Sequence, residues 1–336
     1  MHEALLYNKK DGQKVQCYLC RHGCVIESGR RGICAVRENR EGTLYSLVYG
    51  EIISTAVDPI EKKPLFHVHP GSRSFSIATV GCNFRCLFCQ NSEISQLPRE
   101  QGRIFGKSTQ PGDIVDMARR TGCKSIAYTY TEPTISFEFN LETANLANAK
   151  GIRNVFVTNG YMSREAIQMI SPYLDAANVD LKAFTDEFYT KQCGARLQGV
   201  LDSLRLMKEM GIWIEVTTLM IPGLNDSPRE AERIARFIFE LGPEVPWHIS
   251  RFHPMYRLMD RPPTPLHTIK RAREIGLKIG LRYVYTGNIP GDEGEHTFCH
   301  VCGHLLVERL GFSIRNNLIS DTRCSRCGTA VAGIDV

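Results

Sequence analysis

The sequence contains no apolar run long enough to cross a bilayer. Its first residues, MHEALLYNKKDGQKVQ, lack a basic segment leading into an apolar stretch, so no signal peptide is expected. A cytoplasmic protein is expected, in a compartment where thiols stay reduced. Net charge is also scarce: 41 Lys and Arg oppose 36 Asp and Glu, leaving +5 spread along the chain. That balance does not make a nucleic-acid surface, whose affinity comes largely from phosphate neutralisation. Residues 291–336 repeat the argument locally: Arg309, Arg315, Arg323 and Arg326 face Asp292, Glu293, Glu295, Glu308, Asp321 and Asp335. What the chain does have is cysteine, 13 in 336 residues, within an ordinary globular composition of 43% hydrophobic and 23% charged residues. In a reducing compartment, closely spaced cysteines read as metal ligands before disulfides.

Eleven of them fall into three groups, and Cys123 and Cys193 stand alone. CHVC and CSRC supply Cys299, Cys302, Cys324 and Cys327, with Gly303 and Gly328 after each pair. Each knuckle lets one tight turn aim two thiolates at one ion, and the residues between suit a hairpin. This is a zinc-ribbon pattern, and an iron site of rubredoxin type would use the same geometry. The first group is Cys17, Cys20, Cys24 and Cys34, in a turn-rich segment with Gly23, Gly29 and Gly32. Its spacing suits zinc, the first expectation, and also an auxiliary four-iron cluster. His22 is expected on an exposed turn. The middle group, GCNFRCLFCQN, offers only Cys82, Cys86 and Cys89, spaced C-x3-C-x2-C. Four-iron clusters have four corners, so this loop is one ligand short. Cys193 is the one candidate for the missing position, because Cys123 precedes a strand and belongs at the opposite end of the fold.

From residue 75 the sequence alternates. The strand-like runs are SFSIATV, SIAYTY, NVFVTNG, AANVDLKAF, IWIEVTTLMIPG and PWHISRF, with LRYVYTG as a further strand. Amphipathic helical stretches separate them. Strands alternating with helices imply parallel β/α units with right-handed crossovers. Six or seven units are too few for a closed eight-fold barrel, and a partial, open barrel fits better. Chemistry in such folds gathers where strands end. The polar outliers lie there: Cys82, then Glu132 in TEP, Asn159 and Gly160 in TNGY, Asp180 and Lys182 in DLK, and Arg251 and His253 in RFHP.

A cluster held by three thiolates keeps one iron open for a ligand. At this point the sequence resembles the radical S-adenosylmethionine (SAM) superfamily, whose signature is C-x3-C-x2-C with an aromatic, here Phe88, before the last cysteine. The resemblance spans roughly residues 74–290 and implies a partial (β/α)6 barrel. It implies a [4Fe-4S] cluster on Cys82, Cys86 and Cys89. SAM would bind at the open iron and be cleaved reductively to a 5′-deoxyadenosyl radical that takes hydrogen from a substrate. Glu132 then matches a loop contacting the SAM amino group, although Tyr130 and Thr131 stand where the superfamily has glycines. Asn159, Asp180, Lys182 and His253 match positions beside SAM, and Val157 replaces a carboxylate that serves a cation in some relatives.

A narrower resemblance covers nearly the whole chain. VDPIEKKPLFHVHPG, GCNFRCLFCQN, AYTYTEPTI, VFVTNGYM, DLKAF, PWHISRFHP and the terminal knuckles look like the AmmeMemoRadiSam-system radical SAM enzymes. These are relatives of pyruvate formate-lyase activating enzyme. The resemblance implies a flavodoxin or ferredoxin as electron donor. The group takes its name from genomic association with Memo-like and AMMECR-like proteins, which makes these candidate partners or protein substrates without identifying the substrate. The chain then divides into a four-cysteine module (1–48), a linker (49–73), the barrel (74–290) and the ribbon (291–336). Lys62, Lys63, His67 and His69 in the linker either border the active site or lie in a solvated, proline-stiffened connector. The competing function is a multi-cluster iron–sulfur electron-transfer protein without SAM chemistry.

Overall fold

A computed structural model describes all 336 residues. Its centre is one eight-stranded sheet. Seven strands are parallel and follow chain order: β2 (Arg73–Ala78), β3 (Ser125–Tyr128), β4 (Arg153–Thr158), β5 (Ala176–Asp180), β6 (Trp213–Met220), β7 (Trp247–Arg251) and β8 (Val284–Gly287). The eighth, β1 (Ser54–Pro59), pairs antiparallel with β2. β1 and β8 are the two ends of the sheet and do not pair, so the barrel is open, as the count of units requires.

Six helices join the parallel strands: α1 (Pro111–Arg120), α2 (Phe137–Asn148), α3 (Arg164–Ile170), α4 (Leu197–Glu209), α5 (Pro228–Leu241) and α6 (Leu266–Ile279). Their boundaries follow local chemistry. Gln110 and Asp113 form a reciprocal capping box before α1, with Pro111 in its first turn. Ser227 caps α5 by accepting from the Glu230 amide, again with Pro228 at the start. Side chains alternate along each strand, as the pleat demands. Phe75, Ile77, Ile126, Tyr128 and Phe156 face the helices in the main core, while Ala127, Val155 and Ala176 face inward.

That inward face meets residues 60–68. Ile60, Leu65 and Val68 pack on Ala127, Val155 and Ala176. Here the linker expectation is corrected. Residues 49–73 supply the edge strand β1 and then a plug for the strand-start end of the barrel. Glu61, Lys63 and His67 are each 1% exposed, so the solvated alternative is wrong. The short STAVDP pattern of β1 hides it, because one side of this edge strand stays at the surface.

The N-terminal module is two small antiparallel sheets, Tyr7–Lys9/Val15–Cys17/Val25–Ile26 and His2–Glu3/Thr43–Ser46/Arg37–Arg40. It is anchored on α2 by a buried ion pair, Arg37 with Glu138, whose carboxylate also accepts from the Leu5 amide. The C-terminal module pairs Thr297–Phe298, Leu305–Leu310 and Ser313–Asn317 as a hairpin-based sheet. It packs through Leu306, Val307 and Val331 on Phe66, Tyr283 and Tyr285. Arg309, 1% exposed, donates to the Phe66 carbonyl and lies over that ring. The ribbon therefore closes the strand-start end, away from the three-cysteine loop.

Candidate active site at the strand ends

The loop carrying Cys82, Cys86 and Cys89 leaves the C-terminal end of β2. Backbone bonds pin it to the segment Tyr189–Cys193: the Arg85 amide donates to the Cys193 carbonyl at 2.9 Å, and the Leu87 amide to the Gln192 carbonyl at 2.9 Å. The loop's own contacts leave the sulfurs as acceptors. The Phe84 amide points at Cys82 Sγ (3.3 Å), and Ser95 Oγ lies 3.2 Å from Cys89 Sγ. No three ligand atoms among Cys82, Cys86, Cys89 and their neighbours converge within 4.8 Å, whereas the four ribbon sulfurs do. Thiolates bound to separate irons spread outward from a cubic core, so three dispersed sulfurs suit a cluster better than a single ion.

Asn83 completes the fit. It is 1% exposed, its Oδ1 accepts from Asn159 Nδ2 at 2.7 Å, and its own Nδ2 has no partner. A buried amide N–H next to Cys82 without an acceptor is costly on its own, and the sulfide of a cluster would satisfy it. The residues present thus fit a [4Fe-4S] group.

Cys193 is fully buried beside the loop, its carbonyl accepting from the Arg85 amide, and its thiol is the largest influence holding the Cys86 thiol below its ordinary value. The loop itself supplies three ligands. Cys123 sits before β3 at the other end, as its sequence position implied.

The remaining expected residues fall into distinct places. Glu132 is 1% exposed and already holds four donors: the Thr134 amide and hydroxyl, Thr158 Oγ1 (2.7 Å) and the Asn159 amide (2.8 Å). It ties the end of β3 to the end of β4 and fixes Asn159, which in turn holds Asn83. Gly160 has φ +69°, and a Cβ there would meet Val179 Cγ1 at 2.7 Å, so TNG needs its glycine. Tyr130 occupies a left-handed conformation, φ +64°, in the place where superfamily relatives were expected to carry glycine. Its carbonyl accepts from Asn91 Nδ2 (2.8 Å), and its phenol donates to Asp58.

Lys182 Nζ pairs with Asp180 at 2.8 Å and lies 5.7 Å from the Phe88 ring centre. Burial alone would lower its pKa, but Asp180, Cys86 and Cys193 outweigh that and hold it well above its ordinary value. Phe88 itself is buried against Phe188. His253, just past β7, is exposed with no hydrogen bond to the protein, so it is not a core histidine. Arg251 turns aside to the Thr264 carbonyl.

The linker residues divide. Lys62 and Lys63 both bind Asp58, at 2.9 and 2.7 Å, and Lys63 lies 4.5 Å from the Tyr130 ring centre. They are joined to the strand-end loop through Tyr130. His67 and His69 are not: His67 bonds the Ala332 carbonyl and Tyr285, and His69 pairs with Asp335. Their expected place at the active-site border is corrected to the barrel floor, because the plug runs down the barrel before it reaches them. His22, expected exposed, donates to the Asn83 carbonyl at 2.9 Å and packs on Tyr161. Asn83, Asn91, Arg99 and Asp58 were missed in the sequence. Only Asn83 and Asn91 carried a signal, by lying inside the cysteine loop.

At the far end, Cys299–Cys327 and Cys302–Cys324 stand 3.6 and 3.7 Å apart, and all four sulfurs lie within 4.8 Å of one another. No helix is long and apolar enough to cross a membrane.

Comparison with known proteins follows this geometry. Residues 76–238 match the Radical SAM superfamily. An uncharacterized protein of Methanocaldococcus jannaschii is 46% identical over 334 residues, covering 98% of this chain and 99% of that one. The isethionate sulfite-lyase activating enzyme of Desulfovibrio desulfuricans is 26% identical over 177 residues, 50% of this chain and 56% of that enzyme. A crystal structure of a radical SAM methyltransferase from Sphaerobacter thermophilus shares the fold, with TM-score 0.51, 18% identity, and coverage of 70% and 71% of the two chains.

Proposed function

The chain belongs to the radical SAM superfamily, and on that premise we propose that it generates a substrate radical from SAM at a cluster held by Cys82, Cys86 and Cys89. The observation that carries this is the three-thiol loop, with the orphaned Asn83 amide beside it. When bound, the cluster and SAM supply one-electron cleavage of the sulfonium to a 5′-deoxyadenosyl radical, which abstracts hydrogen.

The chain's own residues bind, orient and shield. Asn159, fixed by Glu132, orients Asn83 toward the cluster position. Glu132 acts as a positioning residue, since its carboxylate is filled by protein donors. Lys182, kept cationic by Asp180, would pair with the carboxylate of SAM, and Phe88 lies beside that pair. Exposed His253, just past β7 and without a protein hydrogen bond, would be free to contact SAM. The barrel floor, filled by Leu65, Phe66 and His67, keeps water out from below.

The substrate class we favour is a partner protein, in an activase-like reaction. The similarity to an activating enzyme supports this reading, and Memo-like or AMMECR-like proteins are the candidates that the narrower sequence resemblance names. A flavodoxin- or ferredoxin-class donor supplies the electron, in the cytoplasm. The ribbon is a zinc site: sulfurs ~2.3 Å from one tetrahedral ion lie roughly 3.8 Å apart, close to the 3.6 and 3.7 Å separations here.

The test is anaerobic purification, cluster reconstitution, reduction with dithionite and addition of SAM. 5′-Deoxyadenosine is the expected product by mass spectrometry. A fully loaded central cluster that yields none, with or without candidate partners, overturns the reading in favour of electron transfer alone.

A further inference from the structure

We infer that Cys17, Cys20, Cys24 and Cys34 hold a second iron–sulfur cluster rather than zinc, and that it is the relay through which the central site receives its electron. The first clause stands on geometry alone; the second rests on the radical SAM reading above.

The ribbon calibrates the geometry within the same molecule. Its four sulfurs gather within 4.8 Å, as ligands of one ion must. No three of the N-terminal sulfurs do so. Instead all four thiols line one small cavity, of about 20 Å³. Four ligands around an empty centre, too far apart to meet at a point, match a four-iron core. The walls are otherwise apolar, with Leu19, Ile26 and Ile135. Arg37 also lines the cavity and is 1% exposed; its Nη1 donates to Cys17 Sγ at 3.4 Å, and its Nε has no partner. A buried cation with a spare N–H suits an anionic, sulfide-bearing group, which offers more acceptors than four thiolates converging on one ion.

The position gives the role. His22, between Cys20 and Cys24, donates to the Asn83 carbonyl next to Cys82. Arg99 bonds the Ile33 carbonyl, adjacent to Cys34, at 2.8 Å and the Cys82 carbonyl at 3.2 Å. Two short paths thus join the N-terminal cavity to the central loop, and none joins the ribbon to it. A reduced flavodoxin- or ferredoxin-class protein gives one electron to the N-terminal cluster and leaves oxidised. The N-terminal cluster passes that electron to the central one and returns to its resting state, so one donor is consumed per SAM cleaved.

The decisive measurement is metal and sulfide analysis, with Mössbauer spectra, of full-length protein carrying Cys82→Ala, Cys86→Ala and Cys89→Ala. Retention of about four irons and four sulfides with one zinc is expected; two zincs and no iron overturn the inference. If that variant fails to fold, reconstituted wild type decides: about eight irons support a second cluster and about four oppose it. Neither count depends on SAM cleavage, so failure of the proposed function is separately visible. For the relay, Cys20→Ser is assayed with reduced flavodoxin and with dithionite. The ratio of the two rates is expected to fall about tenfold or more relative to wild type. An unchanged ratio removes the relay role.

Discussion

The two ends of the barrel are built on opposite terms. At the strand-start end, Glu215 is fully buried and accepts from the Phe66 and His67 amides, Trp213 Nε1 and His248 Nε2, at 3.1, 2.9, 3.2 and 2.6 Å. His67, Tyr285, Thr297 and Arg309 extend that network into the ribbon. At the strand-end face, Asn83 Nδ2 is orphaned, Tyr130 is held in a left-handed conformation, and His253 bonds nothing in the protein. Backbone strain and unmet polar atoms collect at functional sites, where a ligand resolves them. The floor keeps orphaned atoms of its own, Glu61 Oε2, Tyr283 Oη and Arg309 Nε, so the ends differ in setting: those lie inside a packed network that joins plug to ribbon, and Asn83 Nδ2 lies beside the three-cysteine loop.

The comparison is broken most severely by Cys86→Ala, which should reduce SAM cleavage to background while thermal unfolding of the metal-free protein shifts little, measured by product formation and circular dichroism. Glu215→Ala strikes the other end. It leaves four buried donors unpaired and should cost about 3–5 kcal/mol in denaturant unfolding, with SAM cleavage per folded molecule retained.

Acid sharpens the contrast through His67. Burial pushes its pKa down to about 4, against an ordinary 6.5. The unfolded chain therefore takes up a proton as pH falls below 6.5, while the folded chain stays neutral until about 4. This contribution to stability is complete above pH 6.5 and is lost as pH falls through that window, by roughly 3 kcal/mol in all. His67→Gln should flatten the profile between these limits, in chemical unfolding measured at each pH.

A smaller effect is expected from Gly160→Ala, which must strain a left-handed backbone and displace Val179, at about 1–3 kcal/mol. Smallest for stability is His253→Ala, within about 0.5 kcal/mol. A fall in SAM affinity with that unchanged melting temperature would tie the histidine to the open face.

Much of this was legible in the chain. All seven parallel strands were marked by short β-branched runs, and their polar last residues marked the face where the site lies. What stayed hidden depends on contacts distant in sequence. β1 carries no period that separates it from a loop, and its pairing with β2 is what makes it a strand. Residues 60–69 looked solvated because Lys63, Glu61 and His67 are hydrophilic, and only Asp58, Gly71 and the barrel interior make their burial tolerable. Glu132 was visible as a site residue, but its saturation by Thr158 and Asn159 required the neighbouring strand. Cysteine spacing marked the ribbon, whose four sulfurs do converge, and could not give the distance between sulfurs, which separates one ion from a cluster.

Val68 bridges to Ile334, and the Ile334 amide donates to the His67 carbonyl. During synthesis, then, the barrel's plug waits for residues far downstream of it. The cysteine loops and the strands around them emerge from the ribosome well before the ribbon does. Contacts of such long sequence separation form slowly. The strand-end face with its three-cysteine loop can therefore take shape before the floor closes, while the nascent barrel is still open at both ends.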